Sequence, residues 1–309
     1  MNQARLLLLL AVAPVATVAA YLLGDGTGGG GAGEAGHGVP ETPRPYDEED
    51  SAADAKNGPA ADSAADDEPL AGLPPGLAAP AKKDLAHKLV ASAEHSTLDW
   101  RGQYGSVEDT GDGNGYTAGI VGFCTGTHDL LTLVENYTED HPSNRLARYL
   151  PALRAVDGSD SHQGLDPGFV RAWRAEAAEP AFRRAQEGLR DRLYFDPAVR
   201  LAKLDGLGTL GQFLYYDAMV LHGPGTGPRA FHGLREAALK EADPPSEGGG
   251  EKVYLDVFLD IRREAMRQEK AHRDTTRVDT AQRRFLRDGN LDLRTPLTWQ
   301  VYGETFRVP

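Results

Sequence analysis

The sequence predicts a mainly α-helical α+β domain with one small β-rich lobe near its N-terminal end. Three observations carry this: helical periodicity over most of 81–309, a glycine-punctuated, β-favouring stretch at 108–126, and an abrupt change of composition near residue 80. The chain has 309 residues and is 40% hydrophobic, which suits a globular protein, but its apolar residues are unevenly placed.

Residues 6–23 carry no charge and follow a short start bearing Arg5. A basic start, an apolar run and the small residues Ala16, Ala19 and Ala20 make the pattern of a secretory signal. The run is also about long enough to span a bilayer, which needs roughly 17–25 apolar residues, although Pro14 interrupts it. A cleaved signal and a retained N-terminal anchor both stay open, and both export the rest of the chain. Residues 24–80 are rich in Gly, Ala, Pro, Asp and Glu, with Tyr46 as their one aromatic. Such a stretch buries too little apolar area to offset the entropy of ordering, so an acidic disordered linker is expected over 24–80. The folded domain is then 81–309.

Within that domain Leu85, Leu89 and Val90 share one face of a helix that runs up to Glu94. Tyr116, Thr117, Ile120, Val121 and Phe123 favour strand or turn between glycines. Helical patterns resume at 127–137, 143–154, 168–189, 196–221, 228–242 and 250–271, with loop signals at Asp157-Gly158 and Pro224–Pro228.

Charge and cysteine content exclude several functions. The net charge is -13, of which -10 lies in 24–80 and only -4 in 81–309, with +1 from Arg5. No basic stripe stands out, so nucleic-acid binding is not expected. Cys124 is the single cysteine, so neither an intrachain disulfide nor a cysteine-built zinc site can form, and it reads as a small buried hydrophobe rather than a nucleophile. The acidic, Gly-rich run 108–115 invites a calcium reading. Starting from Glu108 puts Gly119 at the twelfth position, and starting from Asp112 puts Phe123 there, so neither register supplies the closing Glu of an EF-hand. No metal and no cofactor is expected.

Glycosidic cleavage requires one carboxylic acid to protonate the leaving oxygen and one carboxylate to activate water or attack carbon. Glu94 ends an apolar helical face, where partial burial favours the proton-donating form. Asp112 lies in the turn 110–116, whose glycines let the backbone bring a carboxylate to the edge of a cleft, and the Thr117 hydroxyl stands ready to hold a water. Taken alone the pair is weak, because a Glu at a helix end is usually solvated.

A resemblance makes it specific. Ser92–Trp100, Glu108–Thr117 and Gly119–Asp129, then Tyr149–Leu153, Arg190–Asp196, Gln212–Asp217, His222–Gly225, Thr276–Asp279 and Gly289–Leu293, resemble in collinear order the family-46 glycoside hydrolases, the bacterial chitosanases. The resemblance implies a lysozyme-like, two-lobed fold with a substrate cleft between the lobes, and hydrolysis of chitosan with inversion at the anomeric carbon. By the same resemblance Glu94 matches the general acid, Asp112 the general base and Thr117 the residue that places the attacking water. Asp129 matches a carboxylate that recognises a glucosamine ammonium, and His222 falls in a block expected at the substrate. Asp217, Arg262 and Arg277 match a buried ion-pair network behind the acid, whose role is either to stabilise the fold or to tune Glu94. Asn114 stands in the catalytic turn where relatives are expected to carry Arg, and Ser106 where an aromatic is often found, which leaves the sugar contacts there open.

A cationic polysaccharide suits a cleft lined by carboxylates. The expected partner is therefore chitosan, met by a monomer outside the cell with no membrane contact by the catalytic domain. Two other readings remain: a catalytically silent surface protein that binds cationic polymers, and a lysozyme acting on peptidoglycan. Reducing-end release from soluble chitosan separates the first of these from the enzyme.

Overall fold

A computed structural model describes residues 70, 72–269 and 273–309, all within the unit Pro59–Pro309. The N-terminal segment 1–23 and most of the 24–80 linker, 24–69 and 71, lie outside the described residues. The folded part nevertheless begins before residue 81. Leu77 is fully buried, and its N–H donates to Gln212 Oε1 at 2.8 Å, so the expected boundary moves back to the short turn Gly76–Ala78.

Helix α1 (Pro80–Glu94) opens on a proline at its first position, where the missing N–H is no loss. It buries Leu85, Ala86, Leu89 and Val90, together with His87 and Ser92. It stops where Ser96 turns left-handed, at φ 49°. An antiparallel sheet follows in the order β1 (Val107–Asp109), β2 (Tyr116–Ala118), β3 (Phe123–Cys124), pairing Glu108 with Thr117 and Thr117 with Cys124. This sheet packs with α2 (Asp129–Asp140), α3 (Leu150–Val156), α4 (Phe169–Glu176) and α5 (Pro180–Arg190) to make one lobe.

A wide turn at Asp191–Phe195 leads into the helical lobe: α6 (Asp196–Leu204), α7 (Thr209–His222), α8 (Phe231–Glu241), α9 (Glu251–Glu269) and α10 (Arg283–Arg287). Two expected helices are each divided. The stretch 168–189 breaks ahead of Pro180, because a residue before proline is pushed out of the helical region and Glu179 is extended. The stretch 196–221 breaks at Gly206, which has φ 76°. The chain ends in a hairpin absent from the sequence reading, β4 (Leu297–Val301) and β5 (Glu304–Val308). Its signal was the alternation Leu297, Trp299, Val301, all buried, with Thr298 and Gln300 between them.

Candidate active site

Glu94 closes α1, at the negative end of the helix dipole, a position that disfavours a carboxylate unless a cation faces it. The cation is Arg277, whose Nη1 donates to Glu94 Oε1 at 2.5 Å. The Glu94 side chain is 22% exposed, so one side of the carboxyl meets solvent and the other meets a guanidinium, beyond the apolar helical face that precedes it.

Behind this pair lies Asp217, fully buried on α7. Arg277 Nε and Nη2 donate to it at 3.0 and 2.9 Å, Arg262 Nη2 at 3.0 Å and Gln282 Nε2 at 2.5 Å. Arg262 Nη1 in turn donates to Gln282 Oε1 at 2.6 Å. Removing such charges from water costs several kcal/mol per ion, and only saturated hydrogen bonding of this kind offsets it. Burial alone would push Asp217 up, but the charges of Arg277 and Arg262 outweigh it and hold the carboxyl below its ordinary value. With Glu94 ionised the group contains two anions and two cations. Arg277 and Gln282 lie on a widened helical turn, Arg277–Gln282, a local irregularity that recurs at functional sites.

The second carboxylate lies on the loop between β1 and β2. Gly111, Gly113 and Gly115 all have positive φ, and the loop carries Asp112 exposed at its tip. Asn114 fixes that carboxylate: its N–H donates to Asp112 Oδ1 at 3.0 Å and its Nδ2 to Oδ2 at 3.1 Å. Asn114 is itself pinned by Gly126 N–H on its carbonyl at 2.9 Å. A neutral amide thus orients the carboxylate where the resemblance led us to expect an arginine.

Thr117, on β2, reaches toward Glu94 over Gly122. A Cβ placed on Gly122, which has φ +76°, would stand 3.0 Å from Thr117 Cγ2 and 3.9 Å from Glu94 Oε2. Glycine therefore keeps open the small space that these two side chains flank. Thr117 Oγ1 lies 3.2 Å from Cys124 Sγ across the strand pair. Burial, then the nearby Asp129 charge, pushes the Cys124 thiol up to about 12, so it stays a neutral, buried sulfur.

Asp129 begins α2 and is buried. Its Oδ1 accepts from Cys124 N at 2.8 Å, Thr127 Oγ1 at 2.7 Å and Leu130 N at 3.0 Å, and its Oδ2 accepts the Tyr194 hydroxyl at 2.6 Å. Burial, partly countered by the Tyr194 and Thr127 hydroxyls, leaves the carboxyl above its ordinary value. His222 ends α7 beside the Arg262–Arg277 pair rather than on an open surface. Burial, then those positive charges, keeps its ring neutral, and its buried Nε2 has no hydrogen-bond partner.

The structure thus gathers Glu94, Arg277, Asp217 and Arg262 into one chain of contacts, with Thr117 beside Glu94. It sets Asp112 with Asn114 on the sheet loop and Asp129 behind β3. Sequence reasoning missed Gln282 and Tyr194 as partners. Each lies within or beside a recognised block, but nothing in the local pattern marks its polar atom as buried.

The profile of glycosyl hydrolase family 46 matches residues 88–297. A chitosanase of Streptomyces sp. (strain N174) is 56% identical over 233 residues, which cover 75% of this chain and 84% of that one. The co-crystal structure of chitosanase OU01 with substrate superposes with a TM-score of 0.74 at 53% identity, over 76% of this chain and 99% of that chain. A complex of a Gynuella sunshinyii family-46 chitosanase with chitotetraose gives a TM-score of 0.68 at 30% identity, over 74% and 97%.

Proposed function

The chain belongs to glycosyl hydrolase family 46, and on that premise we propose that it is an endo-acting, inverting chitosanase with Glu94 as general acid and Asp112 as general base. The observation that carries the proposal is the partly exposed Glu94 carboxyl braced at 2.5 Å by the buried Arg277. A carboxyl that gives its proton to the glycosidic oxygen becomes an anion, and this guanidinium stabilises the anion as it forms.

Asp112 takes the proton of a water that attacks the anomeric carbon from the opposite face. Both its oxygens are oriented by Asn114 yet open to solvent, so the base is aimed without being enclosed. Thr117 holds that water through its hydroxyl. Asp129 Oδ2 keeps a lone pair beyond its Tyr194 bond, the acceptor we assign to a glucosamine ammonium. The ammonium would restore Asp129 to the charged form that burial disfavours. His222, beside the arginine network, is proposed as a substrate contact. Action outside the cell, as a monomer, is proposed with the reading of residues 1–23 as a signal or anchor.

Inversion requires room for water between carboxylate and sugar, roughly 6.5–9.5 Å between the two carboxyl groups against about 5–5.5 Å for retention. Proton NMR of freshly cleaved chitosan oligomers, read before mutarotation, should show the α-anomer first. Initial appearance of the β-anomer would make Asp112 a nucleophile or hand its role to another residue.

A further inference from the structure

Tyr302 occupies the tip of the C-terminal hairpin. The register pairs Val301 with Glu304, so the loop is the two residues Tyr302-Gly303, and both have positive φ, 51° and 81°. Such loops match the twist of their strands and prefer Asn-Gly. A bulky side chain with left-handed backbone carries a steric cost. Tyr302 is 38% exposed and lies outside the apolar core, and it is the phenol end of the ring that is covered. Backbone strain of this kind, at a residue outside the apolar core, points to function.

The hairpin is fastened on both sides of Glu94. Trp299 Nε1 donates to Ser92 Oγ at 2.9 Å, two residues before Glu94 on α1. Tyr302 N–H donates to Thr276 Oγ1 at 2.8 Å, one residue before Arg277. Thr280 Oγ1 donates to Gln300 O at 2.7 Å, so the strand and the turn that carries Arg277 are tied again. These bonds set the tip beside the acid, where burial raises the phenol above its ordinary value and the charges of Arg277 and Glu94 act on it in opposite directions.

We propose that Tyr302 is a substrate-binding residue: its ring is the wall on which the amino sugar next to the scissile bond rests, beside the carboxyl that protonates that bond. This rests on the chitosanase reading above. An ammonium-bearing sugar is attracted to an aromatic face both through its C–H groups and through its charge, as a cation over a ring.

Because the turn itself prefers asparagine, one substitution separates stability from binding. Tyr302→Asn should melt at or above the wild-type temperature, while KM for soluble chitosan rises about two- to thirty-fold, the range a cation–ring contact supplies, and kcat stays within about threefold. Tyr302→Phe, which keeps the ring, should hold KM near wild type. An active wild type whose Tyr302→Asn form has unchanged KM overturns the role of Tyr302 alone. A wild type that releases no reducing ends from chitosan overturns the chitosanase reading, and this assignment with it. A fall in kcat with a shifted pH profile at constant KM would make Tyr302 a positioning residue for Glu94 and overturn the sugar contact. An Asn variant that fails to fold would remove the turn argument on which the assignment stands.

Discussion

Arg277 divides its guanidinium between two carboxylates, and that division is what makes Glu94 a specific side chain rather than one more surface acid. Two of its nitrogens are committed to the buried Asp217, which leaves Nη1 fixed in direction and aimed at Glu94. Glu94→Gln keeps an oxygen for Nη1 to donate to, so the network and fold should survive, but an amide has no acidic proton for the leaving oxygen. The expected outcome is a kcat on chitosan lower by about 10²–10⁴-fold, the usual contribution of general acid–base catalysis, with normal thermal melting. Activity within a few-fold of wild type, in protein that melts normally, would take Glu94 out of that role. At this scale the two proposed catalytic carboxylates were legible through the collinear blocks that resemble the family, since Glu94 at a helix end and Asp112 among glycines are weak signals by themselves. Gln282 and Tyr194 were not, because a lone glutamine or tyrosine becomes a partner only once folding brings Asp217 or Asp129 to it from 65 residues away in each case.

Helix α1 holds Glu94 at one end and is anchored through its middle by His87, an unusual residue to bury. The ring is 5% exposed, lies among Trp100, Phe195 and Tyr216, and has Nδ1 3.2 Å from the Tyr216 hydroxyl. Burial, reinforced by the positive charges of Arg190 and Lys83, pushes it down to about 2. In the unfolded chain the same ring takes up a proton near 6.5. Below that pH the unfolded state therefore binds one more proton than the folded one. The stability this group contributes is complete above pH 6.5 and is lost as pH falls toward 2, at up to about 1.4 kcal/mol per pH unit. Thermal melts should accordingly fall between pH 7 and pH 5, and His87→Phe should flatten that slope. A wild-type melting temperature constant over this range would show that the ring titrates alike in both states. Elements themselves were read with mixed success for a physical reason. Long amphipathic helices announce their period, whereas the break ahead of Pro180 turns on one residue's backbone. The C-terminal hairpin turns on a two-residue loop whose tyrosine disguises it, since Asn-Gly there would have marked it at once.

Over the whole molecule the acidity is unevenly placed: the 24–80 segment holds -10 of the net charge, and residues 81–309 hold -4. The composition change near residue 80 marks that charge difference, but not where the described fold begins, because the leucines at 70, 73 and 77 in a Pro- and Gly-rich setting give no sustained periodic signal. Leu77 is fully buried in the domain core, and its backbone N–H occupies the Oε1 of Gln212, whose Nε2 is held by the Leu207 carbonyl at 3.0 Å. A chain that starts at residue 70 keeps this anchor, and one that starts at residue 81 loses it. Losing a buried leucine costs about 1.5–3 kcal/mol, and a buried amide oxygen left without its donor adds about 1–3 kcal/mol. In a domain of this size each kcal/mol lowers the melting temperature by roughly 2–4 °C. The chain starting at 81 should therefore melt at least about 5 °C below the one starting at 70, and the latter should match the full-length protein in both melting and turnover on soluble chitosan. Equal melting of the two truncated forms would mean that the Leu77 contact contributes nothing. A drop already present in the chain starting at 70 would place part of the working fold further upstream, in the acidic segment itself.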